Sequence, residues 1–370
     1  MKISVNKSTF LNGIFMPQKI SEGNASIQPI LSNIQLQAQN DGKIICKATD
    51  MSTSVVSEFN GEVFQPGILT VNGKLLYQLA SNLSGNEIDI QKNDTVVTIY
   101  SNKSQFEITS LRDDDYPTFS FYNDALYTSF ESFILKEILD LTLFSAGTDE
   151  SKPHLCGVYF ITDKNIAKTV ATDGHKLALA EYPYEGKFQV SSGIIIPRKG
   201  VTDIIKLLSD ENTNIGLYYD KDNKIIGIKT ENTKMNIKLV DSKFPPYEQV
   251  IPQYKDNKVV IPKDEFLQAL KRISFLFDTS DSGVILNVEK DRIIMSGIDT
   301  IKGKGREEIE VDYVGEPMQL AFNIKFFEVI INKIRGKEFS MFMQSPKSPV
   351  LFKPVDTSNF LAVLMPIRID

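Results

Sequence analysis

The chain has 370 residues, of which 42% are hydrophobic and 24% charged, with a formal net charge of −6. Such a length accommodates two or three domains with real cores, and such a composition excludes a disordered or fibrous chain. The acidic balance argues against a protein that grips nucleic acid over its whole surface, while leaving open a basic stripe on one face.

Met1-Lys2-Ile3-Ser4-Val5 alternates like a strand and lacks the apolar stretch of a signal peptide. No apolar run approaches the roughly 18 residues that span a bilayer, so a cytoplasmic, non-membrane protein is expected. Lys43-Ile44-Ile45-Cys46 reads as a strand that runs into Ala48-Thr49-Asp50-Met51. Gly67 to Asn72 is a strand entering a helix near Gly73-Lys74-Leu75-Leu76. Thr95–Tyr100 and Gln105–Thr109 flank the turn Ser101-Asn102-Lys103-Ser104 and predict a hairpin. A strand and proline follow, from Ser110-Leu111 to Tyr116-Pro117, and Phe119 to Asn123 reads as a linker.

The same order then recurs. Phe133, Ile134, Ile138 and Leu141 mark one helical face. Lys168-Thr169-Val170 leads into Ala171-Thr172-Asp173-Gly174-His175, Gly193–Pro197 leads into Arg198-Lys199-Gly200-Val201, and Lys238-Leu239-Val240 leads to Phe244-Pro245. A second linker is read over 251–258. In the third pass Val259-Val260-Ile261 runs into a helix that Pro262 is placed to start, with Phe266, Leu267, Leu270, Ile273 and Leu276 on one face. Arg292–Met295 leads to Ser296-Gly297-Ile298-Asp299, Met318–Asn323 leads to Ile324-Lys325-Phe326-Phe327, and the chain closes on Val363-Leu364-Met365-Pro366. Asp50, Asp173 and Asp299 stand 123 and 126 residues apart. That period means three copies of one domain, over 1–122, 123–252 and 253–370. Each is antiparallel strands plus two helices, an α+β class.

Cys46 and Cys156 fall in different copies and read as buried apolar side chains rather than a disulfide. With two histidines, His154 and His175, a metal set is hard to assemble. Asp173-Gly174-His175 is the nearest acid–base candidate, but its aspartate recurs in copies that have no histidine there. No phosphate loop, dinucleotide fingerprint or nucleophile elbow is present, so no catalytic residue and no cofactor is expected. Basic residues recur on the equivalent helices: Lys74, Arg198, Lys199, Lys206, Lys271, Arg272, Lys325, Lys333 and Arg335. They form either a solvated surface or one mixed basic face.

Ala171-Thr172-Asp173-Gly174-His175-Lys176-Leu177-Ala178 closely resembles the signature of the bacterial sliding clamp family, the DNA polymerase III beta subunits. Ile196-Pro197-Arg198-Lys199-Gly200, Lys238-Leu239-Val240-Asp241 with Phe244-Pro245, and Val363 to Ile369 are similar to the same family, and the resemblance spans the chain. It implies a head-to-tail homodimeric ring around duplex DNA, a processivity factor with no catalysis of its own. DNA contacts would come from Lys74, Lys152, Arg198, Lys199, Lys206, Lys271, Arg272, Lys325 and Lys333. It implies an apolar pocket between the second and third domains for polymerase (alpha subunit), clamp loader and repair proteins. That pocket would comprise Leu155, Thr172, Gly174, His175, Lys176, Leu177, Pro245, Val250, Val363, Leu364, Met365, Pro366, Ile367 and Arg368. The dimer seam would bring Phe106 and Ile108 to Phe275 and Leu276, near Lys74, with packing inside one domain as the alternative. Asn24, Pro153 and His154 depart from the family at DNA-contacting positions, and Gln249 and Pro349 depart at the pocket. Two other readings stay open: an enzyme using Asp173 and His175, and a three-domain scaffold that never encircles DNA.

Overall fold

A computed structural model of the chain describes residues 1–22, 28–163, 165–208, 213–253, 257–277, 283–299, 301–357 and 359–367. The first repeat runs β1 (Lys2–Asn6), α1 (Lys7–Ser21), β2 (Asn33–Ala38), β3 (Lys43–Thr49), β4 (Thr53–Asn60), β5 (Glu62–Gln65), β6 (Gly67–Asn72), α2 (Gly73–Asn82), β7 (Glu87–Asn93), β8 (Val96–Ser101) and β9 (Ser104–Thr109). The second runs β10 (Thr128–Glu131), α3 (Ser132–Thr142), β11 (Gly157–Asp163), β12 (Ile166–Thr172), β13 (Lys176–Pro183), β14 (Ile194–Pro197), α4 (Arg198–Leu207), β15 (Asn214–Asp220), β16 (Ile225–Lys229) and β17 (Thr233–Lys238). The third runs β18 (Lys258–Pro262), α5 (Lys263–Ser274), β19 (Gly283–Glu289), β20 (Arg292–Asp299), β21 (Gly303–Glu310), β22 (Met318–Asn323), α6 (Ile324–Lys333), β23 (Glu338–Phe342), β24 (Val350–Pro354) and β25 (Phe360–Leu364). Among the described residues all strand pairing is antiparallel, and each repeat carries two α-helices.

Local chemistry sets the strand-to-helix corners. The Asn6, Asn72 and Asn323 side chains each accept a bond from the first helical turn: Asn6 from the Ser8 and Thr9 N–H groups, Asn72 from Leu75 at 2.9 Å, Asn323 from Phe326 at 3.1 Å. An asparagine there fills donors that a helix start leaves orphaned. At the third-repeat corner Pro262 ends β18 and precedes α5 rather than sitting inside it. The α5 face that meets the core is Phe266, Ala269, Leu270 and Ile273.

Four sheets result. One has the order β5-β1-β7-β8-β9 and another the order β21-β20-β19-β22. The other two have eight strands each, and both cross a repeat boundary. One runs β10-β15-β16-β17-β4-β3-β2-β6, and the other, read the same way, runs β18-β23-β24-β25-β13-β12-β11-β14. Strand for strand the two orders are equivalent, and so is the register where two repeats meet. Asn236 of β17 faces Ser54 of β4, as Val363 of β25 faces Leu177 of β13.

By compactness the chain divides into two units. One comprises Met1–Lys136, Gly186–Phe188 and Thr202–Leu239, the other Glu137–Glu185, Gln189–Val201 and Val240–Asp370. The central repeat contributes to both, because each eight-stranded sheet joins half of it to a neighbouring repeat. The segment 119–123, which reads as a linker in sequence, is tied down. Tyr122 packs on Tyr218 with ring centroids 4.6 Å apart and donates its hydroxyl to Asp220 at 2.8 Å. Burial, then that carboxylate, push the Tyr122 phenol well above its ordinary pKa.

Candidate functional site

The recurring aspartate explains itself at three hairpin tips. Asp50 accepts from the Ser52 and Thr53 N–H groups, Asp173 from His175 and Lys176, and Asp299 from Ile301 and Lys302. Thr49 and Thr172 add a second pattern. Each accepts from the N–H two residues on and donates to the carbonyl four residues on. These side chains build the turn from within, which is why the residue types repeat. Asp173 is thereby committed to its own backbone and to the Lys176 ammonium, and is not poised as a base for His175. Burial by itself would raise the Asp173 carboxyl, but the bonds from Lys176 and from the two backbone N–H groups outweigh it and hold it below the usual range. Among the described residues no cluster of His, Cys, Asp and Glu could hold a metal ion. Nor is any helix there long and apolar enough to cross a membrane.

The Asp173 turn forms one wall of a cleft of about 670 Å³. Ten of the fourteen residues assigned to a pocket line it: Leu155, Thr172, Gly174, His175, Lys176, Leu177, Pro245, Val250, Val363 and Met365. The other four are elsewhere. Leu364 is the neighbour of Val363 on one strand, points to the opposite face and is 1% exposed. Pro366 lies outside the lining, and Ile367 turns away, donating its N–H to Ala321 and packing its side chain against Gly283. Arg368 lies outside the described residues, as does Asn24. His154, Gln249 and Pro349 also line the cleft, although His154 reads in sequence as a DNA-side position. Pro246, Tyr247 and Pro252 complete the wall. Their signal was the continuation of the Phe244-Pro245 motif.

The floor of the cleft is held rigidly. Leu177, Val363, Phe244 and Tyr247 belong to one buried cluster with Val170, Leu179, Ile195 and Leu351. Tyr159 stacks on Phe244 with centroids 4.7 Å apart and planes 3° from parallel, and Tyr247 meets both rings edge-on. Burial raises the Tyr247 phenol far above its ordinary pKa, and the Glu248 carboxylate adds to the shift. At the rim Val250 is 52% and Met365 37% exposed, offering apolar surface to a ligand. Lys176 closes the far side. It is 7% exposed, ion-paired to Asp173, and its ammonium sits 3.9 Å from the centroid of Phe326 on α6. Behind it opens a second cleft of about 570 Å³ that also reaches Lys152, Arg198 and Lys325.

The nine basic positions differ in their engagement. Lys74 pairs with Glu22 at 3.1 Å, Arg272 makes two bonds to Glu307 at 2.8 and 2.7 Å, and Lys333 pairs with Asp140 at 2.6 Å. Lys152 lies 4.0 Å from Asp149. Arg198 donates to the Ala146 carbonyl at 2.9 Å. Lys206, Lys271 and Lys325 are exposed and have no acidic partner among the described residues. Lys199 is exposed as well, beside Arg198 at the start of α4.

The seam candidates are surface residues. Phe106, on the edge strand β9, is 42% exposed and Phe275, just past α5, is 69% exposed, so neither fills the core of its own domain. Ile108 is half-buried on β9, and Leu276 packs over Gly305 of β21, where a Cβ would meet it at 2.9 Å.

Family profiles of the DNA polymerase III beta subunit match in series along the chain: the N-terminal domain over 1–120, the central domain over 130–246 and the C-terminal domain over 248–368. Beta sliding clamps of Caulobacter vibrioides and Escherichia coli K12 are 29% and 26% identical to it, each alignment covering both chains completely. Among solved structures, the DNA polymerase III beta subunit of Thermotoga maritima superposes with a TM-score of 0.91 at 26% identity. A sliding clamp of Bartonella birtlesii bound to griselimycin gives 0.91 at 28% identity. Both cover the two chains completely.

Proposed function

The chain belongs to the DNA polymerase III beta subunit family, and from that membership we propose how it acts as a DNA sliding clamp, a processivity factor rather than an enzyme. Two copies associate head to tail, and their domains, 1–122, 123–252 and 253–370 in each, close a ring around duplex DNA. The observation that carries this reading is a pair of unmatched sheet edges. Within the chain, β17 of the second repeat pairs with β4 of the first, and β25 of the third pairs with β13 of the second. The equivalent of β17 and β25 in the first repeat is β9, and the equivalent of β4 and β13 in the third is β21. Among the described residues each is a sheet edge with one partner only, β8 and β20 respectively. Long exposed edges invite pairing. The junction of first repeat with second has the same strand order and register as that of second with third, and β9 of one copy on β21 of another would repeat it. A heterologous contact whose rotation closes makes a ring.

The register follows from the internal junctions. It sets Phe106 opposite Gly305 and above Leu276, and Glu107 opposite Lys304. Met235, the counterpart of Phe106 in the second repeat, is 0% exposed because its edge is covered. Topological linkage removes any need for a tight DNA site, which accords with a net charge of −6. Lys206, Lys271, Lys325 and Lys199 supply weak, sequence-independent phosphate contacts. The cleft at Met365 takes short apolar segments of the polymerase alpha subunit, the clamp loader and repair proteins. The test is retention on nicked circular against linear duplex. Slow loss from circles with rapid loss from linear ends is expected, and equal loss from both refutes encirclement.

A further inference from the structure

The equivalence of the two eight-stranded sheets extends to a second cleft. Where the first and second repeats meet, a hollow of about 310 Å³ is bounded by the Asp50 turn, the segment after Pro117, and β16 and β17. Several of its parts correspond to parts of the Met365 cleft. The Thr49 and Asp50 bonds match those of Thr172 and Asp173. Pro117 to Phe119 stands where Pro245 to Tyr247 stands, and the facing pair Ser54–Asn236 replaces Leu177–Val363.

The chemistry of the lining has changed in a consistent direction. Leu177, Val363 and Met365 become Ser54, Asn236 and Lys238. Lys238 is the only charged residue of the lining, it is exposed, and no carboxylate among the described residues pairs with it. The nearby Asp50 carboxylate is already taken by its turn. Apolar surface remains at the mouth. Met51 is 54% exposed and Phe119 is half-buried. Met51 also holds a left-handed backbone, φ 73°, where the equivalent residue is Gly174 at φ 92°. A side chain in that region carries a backbone strain that glycine avoids. The turn thus tolerates a flexible thioether at a place where its counterpart has none.

We infer that this cleft is a second peptide groove, selective for an extended segment that carries an apolar side chain next to a carboxylate: the apolar group lies on Met51 and Phe119, the carboxylate on Lys238. The class of ligand, an extended peptide, rests on the reading of the Met365 cleft given above; the demand for an acidic residue comes from Lys238 alone.

Methionine methyl labelling separates the two grooves in one spectrum, since the chain has nine methionines and each groove has its own reporter. The probes are acetyl-Leu-Phe-Glu-amide and acetyl-Leu-Phe-Gln-amide. A saturable Met51 shift with the first is expected, about fivefold weaker with the second, the factor for an exposed charge contact near 1 kcal/mol. Lys238→Glu, an exposed substitution, is expected to weaken the Met51 response by at least that factor while Met365 responds as before. A silent Met51 overturns the inference whatever Met365 does, and so does a Met51 shift indifferent to both the glutamate and Lys238. A silent Met365 beside a responsive Met51 counts against the first groove and supports the second.

Discussion

The proposed seam can be tested at one residue pair. The proposed β9–β21 register would place Glu107 of one copy opposite Lys304 of the other, as Asn236 lies opposite Ser54 within the chain. Both side chains are exposed in the single chain, and neither has an ion-pair partner among the described residues. Glu107→Lys turns an attraction into a repulsion between directly opposed cross-strand positions. Such a change is worth roughly 1 kcal/mol at each pair. A two-copy ring has two seams, so dissociation should become easier by roughly 2 kcal/mol, or about thirtyfold in Kd. Lys304→Glu alone should weaken the dimer similarly, and the double variant should recover most of the loss. Sedimentation velocity over a dilution series from micromolar to nanomolar reads the constant directly. A Glu107→Lys dimer as tight as the parent, or a double variant no tighter than either single one, refutes the register and with it the extrapolation from the internal junctions.

Other consequences are equally direct. Met365→Ala with Val250→Ala should weaken an apolar peptide by about 2 kcal/mol, roughly thirtyfold, in an anisotropy titration, with the dimer unchanged. Leu177→Ala is a poorer probe, because Leu177 is 2% exposed and its loss also opens the core. Replacing Lys206, Lys271 and Lys325 by glutamine should flatten the salt dependence of binding to linear duplex by about 0.9 log units per lost phosphate contact, leaving peptide affinity intact. Asp173→Asn keeps the turn-forming oxygen but removes the charge that faces Lys176. The Asp173 carboxyl is held below its unfolded value, so its contribution is complete above about pH 4 and lost as the pH falls through the folded value. The parent should therefore exceed the variant in stability to urea at pH 7, by roughly 2 kcal/mol for a charged hydrogen-bonded pair, and the gap should narrow as the pH falls below the unfolded value.

Much of the fold was legible because local chemistry demanded particular residues at repeated places. An aspartate that ties two N–H groups can be replaced by few others, so Asp50, Asp173 and Asp299 announce three hairpins. Asn72 and Asn323 similarly announce two helix starts. The alternation that buries Val363's neighbour was also available, and it would have excluded Leu364 from the cleft. What the sequence could not carry is non-local. Nothing local in Lys234 or Val56 says that β17 and β4 will pair across a repeat boundary, yet that pairing makes two compact units out of three repeats. Lys333 reads as a free cation until Asp140, 193 residues away, is brought to it. The same holds for Arg198, whose guanidinium caps a carbonyl 52 residues distant.

That distribution of partners bears on how a clamp of this charge could stay on DNA. If most of the candidate DNA-facing cations are already matched by carboxylates or carbonyls of the same chain, few are left to displace counterions, and direct affinity for duplex must be low with a shallow salt dependence. Residence on a closed circle is then governed by how often the ring opens. If Lys206, Lys271 and Lys325 are the duplex-facing cations, replacing them should change how fast the protein leaves a linear end and scarcely alter its lifetime on a circle. Weakening the seam by Glu107→Lys should do the reverse, shortening the lifetime on circles by up to the factor it costs the dimer. A lumen variant that shortens the circle lifetime as much as the seam variant would mean that phosphate contacts, not closure, hold the protein in place.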